Sequence, residues 1–444
     1  MSSAVVQPVG GAARRARPAP ALSRALTYVC GGLLLAALLE VVLDASVGHT
    51  QLIPYTPDVA GWLRETGIGE LLGYRVFLVA LLVSTAAYGG LLALARREAI
   101  SRRWAIGLVV ALGVIACVGP VLLSTDVFSY IAYARMGVLH GVNPYLHGPD
   151  AIRGDPIFRY VGEDWHHTAT AYGPLYTLLS YPVAWLGVLG ALVAMKAVTL
   201  AASLGTLWLT WRCARTRRLD PVFAVLVVGA NPLYVIYGLG GAHNDVITML
   251  LMMAAVALTF AGRDAPAAAS VVAGALVKAT TAAMLPFMLL ARRRWATVWG
   301  TVAALAVAAA VSYPVFGVHG LDVVAALNRD AALVSKDSFA TEIAHLLGKN
   351  GVFPVDHDLL KAALVVIVAH LLWRTWRGYD WVAASGWTLL AISVTSTWLL
   401  AWYTLWSLPL SVVTRDRRLL VATLAVQALF VAHQLAPLFS PVPS

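Results

Sequence analysis

Residues 124–145 read STDVFSYIAYARMGVLHGVNPY. The stretch starts where an apolar run over residues 104–123 ends, so Asp126 sits at the mouth of a hydrophobic segment. A carboxylate beside a membrane span is costly to keep near lipid without a use. Tyr130, Tyr133 and Arg135 follow it, and aromatic rings next to a carboxylate suit a catalytic group working on a sugar. The competing reading is a helix cap, because Ser124-Thr125-Asp126 precedes a helical pattern.

The rest of the chain explains why this segment lies at a membrane edge. Of 444 residues, 60% are hydrophobic and 12% charged, and the mean hydropathy is +0.77. Soluble chains run near a quarter charged, so a polytopic membrane protein is expected. The net charge of +10 comes from arginines in short clusters between apolar runs, the distribution of the positive-inside rule, which argues against nucleic acid as a partner. Cys30, Cys117 and Cys213 have no CxxC spacing, so neither a disulfide framework nor a zinc site is expected. No phosphate-binding GxxxxGKS loop, GxSxG elbow or HExxH pair is present.

Charge parity then orders the spans. Residues 1–24, rich in Ala, Pro and Arg, read as a disordered cytoplasmic tail, and 25–44 as an uncleaved first span. Apolar runs follow at 71–94 and 104–123, with the basic RREAISRRW between them inside and 45–70 outside. Residues 124–173 form a long external loop whose first part suits a short amphipathic helix at the interface. The basic RCARTRRLD at 212–220 must lie inside, so 174–190 reads as a re-entrant or interfacial helix and 192–211 as the crossing. Spans at 221–239 and 246–261 flank an external GLGGAHND. Residues 267–290 lie between two internal basic segments, so they read as a hairpin of two short helices with its tip near Lys278. The run 295–314 leads to a second external loop, 315–358, and crossings at 359–375, 381–399, 401–413 and 419–437 leave 438–444 outside. The sum is about 13 crossings of roughly 20 residues each, in a single transmembrane domain over 25–437.

This topology collects polar groups on the outer side: Asp126, Tyr130, Arg135, Asn143, Asp155, Glu163, Asp164, His166, His167, Tyr172, His243, Asn244, Asp245 and Lys278. The run GGAHND combines close backbone approach with three hydrogen-bonding side chains. A lysine near a hairpin tip suits a phosphate, though it can also snorkel along its stem. Asp155 and Asp245 are alternative bases. His166 and His167 beside two acids have no preset metal spacing, so no metal site is expected.

Four segments, TDVFSYIAYARMGVLHGVNPY, AYGPLY, NPLYVIYGLGGAHNDVITMLLMMAA and GALVKATTAAMLPF, resemble those of the GT-C superfamily of polyprenol-phosphate-sugar-dependent glycosyltransferases. The similarity is greatest to the actinobacterial polyprenol-phosphomannose-dependent α-1,6-mannosyltransferases, and it covers most of residues 100–290. The resemblance implies an all-α GT-C membrane fold with an outward-facing site in the plasma membrane. It implies a general base in the first external loop, which maps to Asp126, and basic groups for the donor phosphate, which map to Lys278 and Arg135. Sugar and acceptor contacts map to Tyr130, Asn143, Tyr172, His243, Asn244 and Asp245. The expected partners are a polyprenyl-phosphate sugar, a glycolipid or glycan acceptor and membrane lipid, with no cofactor. Glucose, galactose or arabinose donors suit the same residues, and a lipid-linked-sugar flippase or transporter is the alternative from another class.

Overall fold

The computed structural model describes residues 21–46, 74–97 and 100–439. Residues 1–20 of the expected basic tail, 47–70 of the expected 45–70 external segment, the first three residues of the 71–94 run and the last five residues of the expected external C-terminus lie outside them. Among the described residues there are helices, turns and no strand. The α-helices are α1 (Ala21–Ser46), α2 (Tyr74–Arg97), α3 (Arg102–Val118), α4 (Asp126–Leu139), α5 (Pro174–Ser180) and α6 (Gly187–Thr216). They continue with α7 (Pro221–Gly229), α8 (Asp245–Phe260), α9 (Asp264–Ala275), α10 (Leu285–Arg292), α11 (Trp295–Phe316) and α12 (Val323–Asp330). The last are α13 (Phe339–Leu346), α14 (Pro354–Trp376), α15 (Trp381–Thr395), α16 (Leu408–Ser411) and α17 (Arg417–Phe439).

Among the described residues, five segments are long and apolar enough to cross a membrane: Ala21–Ser46, Tyr74–Arg97, Pro174–Thr216, Trp295–Leu321 and Arg417–Phe439. The protein is therefore an all-helical membrane protein. The remaining crossings expected from charge parity fall on shorter or broken segments, which length and composition alone do not assign. The exposed side of α11 carries Val302, Leu305, Val307 and Val311, as a lipid-facing helix should.

Both interrupted hydrophobic runs are broken in the structure. Residues 174–216 are interrupted by a 3₁₀ turn at Tyr181–Leu186, and α6 starts at Gly187, whose φ of +68° glycine adopts without strain. Residues 264–292 form the hairpin of α9 and α10, joined by a 3₁₀ turn at Ala279–Met284. Asp264 closes its base by accepting from Arg292 Nε at 2.6 Å and Arg294 Nη1 at 3.1 Å, which leaves Lys278 at the tip.

The basic links gather at one end of the bundle. Arg217 pairs with Asp380 at 3.1 Å, Arg293 donates to the Trp376 carbonyl at 2.9 Å, and the Arg96 guanidinium lies over the Phe223 ring. The two long loops lie at the other end. There the interfacial reading of residues 126–139 needs correction. Helix α4 is not amphipathic at a surface; Val127 to Met136 are all buried. It is the centre of a second core with Ile152, Ile157, Tyr160, Tyr176 and Val277. The loop over 124–173 thus folds around its own helix, and Val183, Ala184, Leu192 and Met195 from the segment that follows it complete the cover of α4.

Candidate active site

Helix α3 stops at Gly119-Pro120, and the chain runs non-helically to Thr125. Pro120 cannot continue a helical hydrogen-bond pattern. The segment is held instead by Leu122 N, which donates to the Gly240 carbonyl at 3.1 Å. Lys196 of α6, itself buried, donates to the Pro120 carbonyl at 2.8 Å and the Gly240 carbonyl at 3.3 Å. Gly240 follows a π-helical turn at Tyr234–Leu239, a rare element found mostly at functional sites. The approaches to Asp126 and to His243 are therefore clipped together through the backbone.

Asp126 opens α4, but its carboxylate does not cap that helix. The backbone N–H groups of Phe128 and Ser129 are satisfied by the Thr125 carbonyl at 2.9 and 3.4 Å. The carboxylate faces His243, with Nδ1 at 3.5 Å from Oδ2, and its side chain is 19% exposed against 0% for His243. That spacing is an ion-pair contact, longer than a good hydrogen bond. The imidazole stacks on Trp402 with ring centroids 3.7 Å apart, which fixes its plane.

Lys278 reaches back across the hairpin to α8. Its Nζ donates to Asp245 Oδ1 at 2.7 Å and Oδ2 at 2.8 Å, and Asp245 Oδ1 also accepts from Trp406 Nε1 at 2.5 Å. The ammonium lies 4.9 Å from the Tyr403 ring centroid and 5.4 Å from that of Trp406, a cation–π environment. The AYGPLY segment rests directly on this hairpin. Gly173 N donates to the Val277 carbonyl at 3.2 Å and Tyr176 N to the Leu276 carbonyl at 3.3 Å. A Cβ at position 173 would meet the Leu276 carbonyl oxygen at 2.0 Å, so only glycine fits.

Tyrosines line the space beside Asp126. Tyr130 meets Tyr172 edge-on at 4.7 Å and Tyr176 at 5.1 Å. On the facing side Tyr403 stacks on Trp406 at 4.5 Å. Several buried polar atoms here have no hydrogen-bond partner among the described residues: Tyr130 Oη, Tyr176 Oη, both His243 nitrogens and both side-chain heteroatoms of Asn244. Buried polar groups are nearly always paired, so this concentration marks a place built for a polar ligand.

The electrostatics separate the carboxylates. Burial alone would raise the Asp126 pKa, but the facing His243 and the nearby Lys278 outweigh it and hold it below the usual carboxylate range. Asp126 is therefore ionised at neutral pH. Asp330, at the end of α12 in the second loop, moves the other way; burial raises it and the charge of Asp126 adds to that. Burial raises the phenol of Tyr130 well above its ordinary range, and neighbouring Tyr172 and Asp126 act in the same sense, so it remains a neutral donor.

The structure thus brings together Asp126, Tyr130, Tyr172, His243, Asp245 and Lys278, with Asn244 between two of them in sequence. Arg135 and Asn143, expected at donor phosphate and sugar, are engaged elsewhere. Arg135 is buried, donating to Asp155 at 2.8 Å and the Ala184 carbonyl at 2.9 Å. Nine helical residues separate it from Asp126, about 13 Å along the axis. Asn143 shapes the turn by accepting from Tyr145 N at 3.0 Å and donates to the Phe316 carbonyl at 3.2 Å. Asp155, an alternative base, is held by Arg135 and by His140 at 2.8 Å. His167 pairs with Asp150 at 2.9 Å, and His166 contacts the Val161 carbonyl at 3.0 Å.

Trp402, Tyr403, Trp406 and Asp330 belong to the site although sequence reasoning passed over them. The first three lie in the run AWYTLW, whose density of aromatic residues with polar tips in one short span is the available signal. The second loop reaches the same region through Ser335. Its backbone N donates to the Thr397 carbonyl at 2.8 Å, and its Oγ accepts from Leu399 N at 3.0 Å.

Two family models match the chain: "Alpha-(1->6)-mannopyranosyltransferase, N-terminal domain" over residues 29–294 and "Glycosyltransferase family 87" over residues 170–441. The alpha-(1->6)-mannopyranosyltransferase A of Mycobacterium tuberculosis is 28% identical over 342 residues, 69% of this chain and 66% of that protein. The protein of the same name from Corynebacterium glutamicum is 29% identical over 170 residues, 38% of this chain and 34% of its own. A probable alpha-(1->6)-mannopyranosyltransferase of Mycolicibacterium smegmatis is 31% identical over 153 residues, 33% of this chain and 27% of that relative. The matched region thus spans less than two thirds of each of these relatives. Each family model covers more than half of the chain and takes in the GGAHND turn and the Lys278 hairpin, and the chain belongs to glycosyltransferase family 87 and to the alpha-(1->6)-mannopyranosyltransferase family.

Proposed function

We propose that the protein moves mannose from a polyprenyl-phosphate-mannose donor to a hydroxyl of a glycolipid or mannan acceptor, on the outer face of the plasma membrane. The observation that carries this reading is the placement of the Asp126 carboxylate, facing His243, and the Lys278 ammonium, held by Asp245, beside a cluster of unpartnered buried polar atoms. A base and a cation are what such a transfer requires. The acceptor hydroxyl gives its proton to Asp126 as its oxygen attacks the anomeric carbon. The bond from that carbon to the phosphate oxygen breaks, and the polyprenyl phosphate leaves with the electron pair, its charge met by Lys278. One displacement inverts the anomeric centre, so a β-linked donor gives an α-mannoside. The names of the relatives support an α-1,6 linkage. Soluble inverting glycosidases add a general acid; a phosphate leaving group removes that need, and the reaction as written uses no cofactor. His243 orients the base, and Tyr130, Tyr172 and Asn244 contact sugar or acceptor.

The test offers purified protein labelled polyprenyl-phosphate mannose and an oligomannoside acceptor. Asp126→Asn is expected to lower transfer by about 10²–10⁴-fold. Transfer at the normal rate in that variant overturns the base assignment. Faster turnover of a glucose, galactose or arabinose donor overturns mannose. Vectorial movement of intact donor without transfer overturns the enzyme reading in favour of a flippase.

A further inference from the structure

A cavity of about 960 Å³ lies at the basic end of the bundle. Helix α15 runs from it, through Ala383 and Trp387, towards the turn at 396–400 that holds the second loop near Asp126. The cavity has two chemically distinct halves. Val366, Ile367 and Leu371 of α14 make an apolar wall. Val366 is 67% and Ile367 38% exposed, so this wall continues onto the exposed side of the helix. Arg374, Arg415, Arg417 and Arg418 form the other half, all exposed.

The two acids in the lining do not neutralise these arginines. Asp380 pairs with Arg217 at 3.1 Å and caps α15 through Val382 N at 3.2 Å. Asp416 accepts from Tyr379 Oη, from Trp387 Nε1 at 3.0 Å and from the Arg418 backbone N at 3.0 Å. Among the described residues none of the four guanidiniums has an acidic partner; Arg374 lies instead over the Tyr379 ring at 4.0 Å. A cluster of unpaired guanidiniums selects a phosphate-type anion. An exposed apolar wall beside those arginines, in a membrane protein, selects an anion that carries hydrocarbon.

We infer that this cavity binds an anionic phospholipid of the leaflet at the basic end, its phosphate headgroup among Arg374, Arg415, Arg417 and Arg418 and an acyl chain along α14. The site is distinct from the one around Asp126, and the inference does not rest on the proposed transfer reaction. Thermal stability of the full chain in detergent tests it, without reference to activity. Phosphatidylglycerol is expected to raise the melting temperature saturably, while phosphatidylcholine with the same chains and inorganic phosphate leave it unchanged. Removing three charges in R415Q/R417Q/R418Q is expected to weaken the apparent phosphatidylglycerol affinity on the order of 100-fold, at about 1 kcal/mol per arginine. Arg374→Gln alone serves if the triple variant does not fold, with a weakening of about fivefold. An equal shift with phosphatidylcholine, a full shift with phosphate alone, or unchanged affinity in the variant that folds overturns the inference.

Discussion

The ion pair between Asp245 and Lys278 allows structural and catalytic roles to be separated at one place. Asp245 is wholly buried and Lys278 is 15% exposed. In Lys278→Met the Asp245 carboxylate keeps only the Trp406 N–H, inside a core that gives it no water. Breaking a buried pair in this way costs about 3–5 kcal/mol. In Asp245→Asn the lysine retains some exposure and its two aromatic neighbours, so the loss falls at the lower end, about 3 kcal/mol. The double variant leaves a neutral amide facing a thioether, and most of the loss is recovered, because a buried pair replaced on both sides is often near neutral. The coupling read from the cycle is expected to be at least about 2 kcal/mol. Thermal or denaturant unfolding of the four proteins in one detergent measures it. Transfer activity follows a different pattern. The double variant is stable yet has no cation for the leaving phosphate, so its rate stays about 10²–10³-fold down. A double variant no more stable than the worse single variant refutes the coupling. Normal transfer in the double variant refutes the leaving-group role of Lys278.

Two further substitutions probe the scaffold. Burial alone would raise the Asp155 pKa, but hydrogen bonds from Arg135, His140 and Ile157 N hold it below its ordinary value. Its contribution to stability is therefore fully present above the unfolded carboxylate pKa of about 3.9 and is lost as pH falls through the lower folded value. Asp155→Asn is expected to cost about 3 kcal/mol at pH 7, by stranding the buried Arg135, and to flatten the acid limb of a melting-temperature profile; an unchanged limb counts against the pairing. Gly173→Ala drives a methyl into the Leu276 carbonyl and is expected to lose about 1–3 kcal/mol, with transfer falling further because Tyr172 and Lys278 move apart. Wild-type stability together with wild-type rate in that variant contradicts the contact.

Much of this architecture was legible because arginines mark one end of each crossing. Parity alone required a hairpin at 267–290 and a break near residue 190, and the break before Gly187 and the hairpin closed by Asp264 follow that logic. The expectation that Asp126, His243, Asp245 and Lys278 gather on one side came from the same rule. The pairing of Lys278 with Asp245 did not, because 33 residues separate them and nothing local says which carboxylate an ammonium will find. Arg135 and Asn143 were misplaced for a related reason. A loop that folds on itself needs internal ion pairs and turn-forming amides, and these have the same composition as ligand contacts. Helix α4 reads as amphipathic because Ser129 and Arg135 interrupt its apolar pattern, yet both are buried, Arg135 between Asp155 and the Ala184 carbonyl. Trp402, Tyr403 and Trp406 sit in a short apolar run, where aromatic residues usually signal a membrane interface.

The amine of Lys196 has a consequence beyond satisfying two carbonyls. Through Pro120 and Gly240 it ties the segment entering Asp126 to the segment entering His243, so the separation of carboxylate and imidazole is held from the α6 side by backbone contacts. The 315–358 loop and the turns after α4 can then change length or side chains while this tie is kept. On the proposed function, acceptor preference and chemical competence are thereby mechanically uncoupled. Selection is free to reshape one while the other stays in register.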